Sequence, residues 1–281
     1  VILTCLVAVL WSLAGLNIKV IHWSSYAIAA GRCCIAFILL TPYVLKMKKL
    51  KIDKYVAGGA ICFAGFNYCF ITSTKLTTSA IAIMMQYTAP VYVVLLSWFF
   101  LRERISKTDI LATIFVCFGM VLFFMDSEGG GTVLGNIIAV FNGVTFAGLS
   151  IFLRLQKNGN PFLSMYLGNI LSALLGIPFI LQAGLLDMYS FLFLVIAGCL
   201  VALTYTIYAK ASTGLSAFET VLLPIIDPVM NPIWVFLFLG ERPGILSITG
   251  AFIILVAVTV KILLGLRNLN MAHCIMNLHR Q

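Results

Sequence analysis

Charge is what this sequence has least of. Only 10% of its 281 residues are Asp, Glu, Lys or Arg, while 62% are hydrophobic; soluble domains carry about 25% charged and 45–50% apolar residues. A water-soluble globule of this length is excluded, because it could not hide so much apolar surface. Histidine is nearly missing too. His22, His273 and His279 all fall outside the apolar runs, which removes the usual general base and the usual imidazole ligand from the membrane interior. No Walker-type phosphate loop occurs, so an enzyme is not expected, and neither catalytic residues, a cofactor nor a metal is assigned. The eight cysteines include no C-x-x-C pair and none at ligand spacing from a histidine. Seven of them, Cys5, Cys33, Cys34, Cys62, Cys69, Cys117 and Cys199, lie inside apolar runs and read as small packing residues. Alternation of polar and apolar residues, the mark of an outer-membrane barrel strand, is also missing.

What is present is a series of apolar runs, each near the roughly 17–25 residues an α-helix needs to cross the hydrocarbon. They lie near 1–18, 25–45, 55–73, 79–101, 108–125, 133–153, 162–182, 188–209, 217–239 and 246–266. The expected fold is all-α, a polytopic membrane protein of ten transmembrane helices. The net charge of +9 is a topology signal and calls for no nucleic-acid partner: with the N-terminus inside, fourteen Lys and Arg fall on inner loops and tail. Only Lys19, Arg32, Lys75 and Arg242 fall on the outer side. This predicts a multi-pass protein of the inner (plasma) membrane with both termini cytoplasmic. The first run lacks the basic start and small-residue cleavage site of a signal peptide and is read as the first span, its natural start trimmed.

The runs repeat. Tyr68, Ser79 and Ala80 match Tyr205, Ser216 and Ala217 at one offset; Pro90, Leu101, Glu103 and Arg104 match Pro228, Leu239, Glu241 and Arg242 one residue further on. Pro42 and Pro178 match at nearly the same offset. Five spans per copy is an odd number, so the second copy enters the membrane from the opposite side. The expected organisation is two inverted five-helix repeats, 1–126 and 133–267, joined by a flexible outer linker at 127–132 and followed by a cytoplasmic tail at 268–281. Inverted repeats are suited to alternating access around a site at the midplane, which discontinuous helices at matching places mark; here those are the fourth and ninth spans. Glu103, Arg104, Glu241 and Arg242 read as ion pairs at helix ends.

Together the pieces Thr78-Ser79-Ala80 to Pro90, Leu101-x-Glu103-Arg104, and Asp227-Pro228 to Leu239-Gly-Glu241 make the chain resemble the drug/metabolite transporter superfamily, in particular its ten-helix EamA-type members. Trp11-Ser12 and Arg32 are weaker matches. Pro224 and Glu219 depart from the commonest pattern. The resemblance implies two copies of a five-helix unit and carriage of amino acids, related metabolites or drugs through a central cavity. A secondary transporter of small polar metabolites, exporting amino acids or related compounds, is the expected function. A drug or other metabolite carrier is the alternative, ahead of a membrane-embedded enzyme. A channel is disfavoured because no span repeats a ring of one charge sign.

Polar groups inside the spans are the candidates for the substrate site. Asp227 beside Pro228 is an acid near the bilayer centre, expensive unless hydrated or paired. It is assigned to a cationic group of the substrate or to a coupling proton, with capping of amides freed by a helix break as the structural reading. Arg32 sits a third of the way into the second span and faces the bundle, or else snorkels to headgroups. Trp11, Asn17, Asn67, Tyr68, Gln86, Tyr87, Asn142, Tyr205 and Asn231 complete the set, with interhelical hydrogen bonding as the alternative role of each. The expected partners are a small-molecule substrate and membrane lipid.

Overall fold

The computed structural model of the protein describes residues 2–47, 51–100, 107–125, 131–156, 159–212, 227–240, 244–257, 259–260 and 264. Among them no strand occurs. The helices are α1 (Ile2–Ser12), α2 (Ala14–Val20), α3 (Ser25–Leu45), α4 (Lys54–Leu76), α5 (Ser79–Gln86) and α6 (Ala89–Phe100). They continue with α7 (Lys107–Met125), α8 (Val133–Leu155), α9 (Pro161–Ala183), α10 (Met188–Ser212), α11 (Asp227–Leu239) and α12 (Ile245–Ala257). Five of these, α3, α4, α8, α9 and most of α10, are long and apolar enough to cross a membrane unaided; shorter apolar helices accompany them. Large apolar side chains stand exposed along outer faces, for example Ile110, Ile114, Phe118 and Val121 on α7 and Leu174, Leu175 and Leu181 on α9. Such faces suit lipid as solvent. The protein is a helical, polytopic membrane protein. Glu103, Arg104, Glu219, Pro224, Glu241, Arg242 and the tail from 268 lie outside the described residues.

Two runs are interrupted, the first, expected as one helix, and the fourth, expected to be discontinuous. In the first, the Ser12 hydroxyl donates to the Val9 carbonyl at 2.7 Å, competing for the acceptor that the Leu13 N–H would use, and the helix lapses at Leu13. In the fourth, the interruption falls at Tyr87 and Thr88, just ahead of Pro90. Proline has no N–H to offer the carbonyl four residues back, that of Gln86, so α5 stops there; in the first turn of α6 the same defect is harmless. Thr88 Oγ donates to the Met85 carbonyl at 2.6 Å and covers the end of α5.

Small residues set the helix contacts. α4 packs on α8 and α9, and α3 packs on α9 and α10. Along α4, a Cβ on Gly58 would meet the Phe152 ring and one on Gly65 would meet Thr145, while Gly148 of α8 faces Cys62. Backbones approach closely wherever a side chain is small. On α8, a Cβ on Gly143 would stand 2.6 Å from the Met85 carbonyl and 2.8 Å from Thr88 Oγ, so this glycine seats the end of α5. α11 then lies against α1, α2 and α5, bringing Asp227 to the two interrupted runs.

Candidate functional site

Several polar residues of the spans meet at a partly open cavity of about 30 Å³. Trp11 from α1, Arg32 from α3, Phe66 and Phe70 from α4, Gln86 from α5, Thr204 and Tyr205 from α10, and Asp227 from α11 line it. That volume holds about one or two waters. A metabolite enters only if the helices part.

Each wall has its own support. Trp11 donates its indole N–H to Thr204 Oγ at 2.9 Å, and its ring lies 5.3 Å from that of Tyr205 and 5.1 Å from that of Tyr208. Arg32 is 4% exposed and gives both Nε, at 2.9 Å, and Nη2 to Asn67 Oδ1; Asn67 in turn donates to the Ala29 carbonyl. The snorkelling alternative does not describe this side chain, which is turned into the bundle. Asp227, 1% exposed, accepts a hydrogen bond from the Tyr87 hydroxyl at 3.3 Å through Oδ2. Its Oδ1 has no hydrogen-bond partner among the described residues. Within that set neither Arg32 nor Asp227 has an ionic partner, so two opposite charges face one cavity and are not paired with each other.

The remaining candidates sit behind this lining or away from it. Asn142 approaches Gln86 Oε1 and the Ala82 carbonyl at 3.5 Å each, holding α8 to α5. Asn17 donates to the Leu13 carbonyl at 2.8 Å across the interruption of the first run. Asn231 is wholly buried one turn beyond Asp227. Tyr68 is turned elsewhere: its hydroxyl donates to the Ser172 carbonyl of α9 at 2.7 Å and its ring lies near Tyr26. Sequence reasoning passed over Thr204, Phe66 and Phe70. The neighbouring Tyr205 was the available signal for Thr204; the two phenylalanines carry none, since an apolar cavity wall and an apolar core look alike in sequence.

Outside the spans, Asp187 caps α10. It accepts the Ser190 N–H at 2.9 Å and stands 3.6 Å from His22 Nδ1. The hydrogen bonds from Ser190, with His22 a lesser influence, hold its carboxyl below the usual carboxylate range.

Comparison with known proteins agrees with this architecture. The sequence pattern of the EamA-like transporter family matches residues 1–125. The uncharacterized transporter YwfM of Bacillus subtilis (strain 168) is 27% identical over 192 residues, covering 65% of this chain and 64% of the relative. The uncharacterized transporter YxxF of the same organism is 26% identical over 247 residues, 82% of this chain and 78% of the relative. Solute carrier family 35 member G1 of Mus musculus is 25% identical over 186 residues, with 58% and 50% covered. The chain thus spans between half and about three quarters of these relatives. A protein solved by crystallography shares the fold at a TM-score of 0.67 and 18% identity, over 95% of this chain and 97% of the other. An all-helical membrane architecture among the described residues, the EamA-like family pattern over the first 125 residues and relatives named as transporters make the chain similar to EamA-type transporters.

Proposed function

We propose that the chain is a secondary transporter of small polar metabolites, exporting amino acids or related compounds, by alternating access at the cavity between two inverted halves, 1–126 and 133–267. One observation carries the reading: the Arg32 guanidinium and the Asp227 carboxylate line the same small cavity, each without an ionic partner among the described residues. A zwitterion supplies both missing charges, its carboxylate to Arg32 and its ammonium to Asp227. Trp11, Phe66, Phe70 and Tyr205 leave an apolar wall for the rest of the solute. The small cavity volume supports an occluded conformation, with the interruptions at Leu13 and at residues 87–88 as the places where the helices bend to open it.

The test is counterflow in proteoliposomes with labelled amino acids, nucleobases and cationic drugs at two pH values. Saturable exchange of zwitterionic amino acids is expected. Losing a charged hydrogen bond costs roughly 1.5–3 kcal/mol, so Asp227→Asn and Arg32→Gln should each raise the half-saturation concentration about 10- to 150-fold. If amino acids fail to exchange while cationic drugs do, the substrate assignment falls. The aromatic wall beside Asp227 favours that drug-carrier reading as the second choice; the uncompensated Arg32 counts against it.

A further inference from the structure

Two short helices stand between the cavity and one end of the bundle. α2 runs from the lapse at Leu13 to Val20, and α5 runs from Ser79 to the break at residues 87–88. Ala14 of the first and Gln86 of the second line the cavity, so each helix has one end at an interruption beside the cavity and the other at the end of the bundle. Those far ends are tied crosswise. Lys19, in the last turn of α2, donates through Nζ to the Thr77 carbonyl at 3.0 Å, and Thr77 is the residue that ends α4 and leads into α5. Lys75, in the last turn of α4, donates through Nζ to the Ile21 carbonyl at 2.7 Å, and Ile21 is the residue on which α2 ends. Lysines near a helix end serve the last carbonyls of their own helix; here each serves the other's.

We propose that Lys19 and Lys75 form a latch that shuts the cavity toward this end of the bundle, which opens when both bonds break and α2 swings about Leu13. The post and the arm are distinguishable. α4 is held to α8 by the Thr132 N–H and hydroxyl, both donated to the Leu76 carbonyl, whereas α2 is a seven-residue piece whose near end has lost its helical continuity, the kind of place where a hinge bends. Lys19 lies five residues beyond Ala14, about 8 Å along the helix, so a small rotation at Leu13 moves the latch end furthest. Both lysines are half-buried. Water can therefore take over the ammonium and the carbonyl once they separate, which makes the bonds reversible where fully buried ones would not be. The proposal rests on the reading that the cavity opens to water during transport and is independent of which solute is carried.

Ala14→Cys in an otherwise cysteine-free chain, purified in detergent without solute, reports access to the cavity through its rate of labelling by a charged, water-soluble maleimide. Leu153→Cys, wholly buried at the opposite end of α8, reports general loosening. Lys19→Met with Lys75→Met removes both donors and should speed labelling of Ala14→Cys about tenfold, with Leu153→Cys unchanged. Lys19→Arg with Lys75→Arg keeps the donors and should stay near the native rate. Equal rates in the methionine and native backgrounds overturn the latch; so does acceleration at both reporters together, which makes the lysines mere stabilisers of the fold. Should the methionine variant fold poorly, hydrogen exchange of the native protein decides: α2 amides should exchange faster than those of α3, and equal protection overturns the proposal. Labelling uses no solute, so failed amino-acid counterflow leaves it standing. A labelled Ala14→Cys that ignores the lysines removes the latch alone, while no labelling in any background removes the opening of the cavity and the latch with it.

Discussion

Arg32 stays buried because Asn67 takes two of its N–H groups on one oxygen and hands its own amide to the Ala29 carbonyl. Asn67→Leu therefore strands guanidinium donors in the bundle, and a loss of roughly 1–3 kcal/mol is expected, read as a lower melting temperature in detergent. The double variant Arg32→Met, Asn67→Leu should recover most of it, because removing both partners leaves nothing unsatisfied. At this scale the sequence was informative wherever charge was involved. With so few ionisable groups in the spans, Arg32 and Asp227 stood out, and both line the cavity. Neutral polar residues were less legible. Tyr68 has as much claim as Tyr205 on sequence grounds, yet it faces α9, because a helix apolar on most sides does not tell which side looks inward.

Gly143 of α8 and the end of α5 form the contact on which the interruption at residues 87–88 rests. Gly143→Ala puts a methyl group 2.6 Å from the Met85 carbonyl, against backbone that cannot swing aside. A destabilisation of about 1–3 kcal/mol, measured by melting, is the expected outcome, with Gly184→Ala as a control for a glycine that has open space but a left-handed backbone. The cap of α10 gives a pH signature. Asp187 has a folded pKa below its unfolded value, so its contribution is present above the ordinary carboxylate range and is lost as pH falls through the lowered folded value. Melting temperatures of the native protein and Asp187→Ala should differ at neutral pH and converge in acid; a constant gap would rule out the cap as the source. Pro90 announced the break in the fourth run, but its position, ahead of the proline, follows from which carbonyl loses its donor. The lapse at Leu13 has no such marker, since serine within a helix is ordinary until its hydroxyl competes for Val9.

On the proposed reading, a space with room for one or two waters has to open to admit a solute, and two inverted halves would open it by exchanging conformations. The decisive measurement is labelling of single cysteines introduced at Glu103 and Glu241 in an otherwise cysteine-free chain: they should react from opposite sides of the membrane, with Glu103 on the cytoplasmic one. Reaction from one side alone removes the inverted arrangement, and the alternating-access reading with it.

Composition by itself determined the solvent, because a chain with 10% charged residues cannot face water on most of its surface, and the length of the apolar runs then dictated helices. It also located the two charges that had to turn inward, since leaving either in lipid costs several kcal/mol. Tertiary packing alone decided which polar groups share a cavity and which tie helices together. That choice depends on small residues such as Gly15, Gly143 and Gly65, whose close contacts set the rotation of each helix, and helices that are apolar on nearly every face carry no record of that rotation in their sequence.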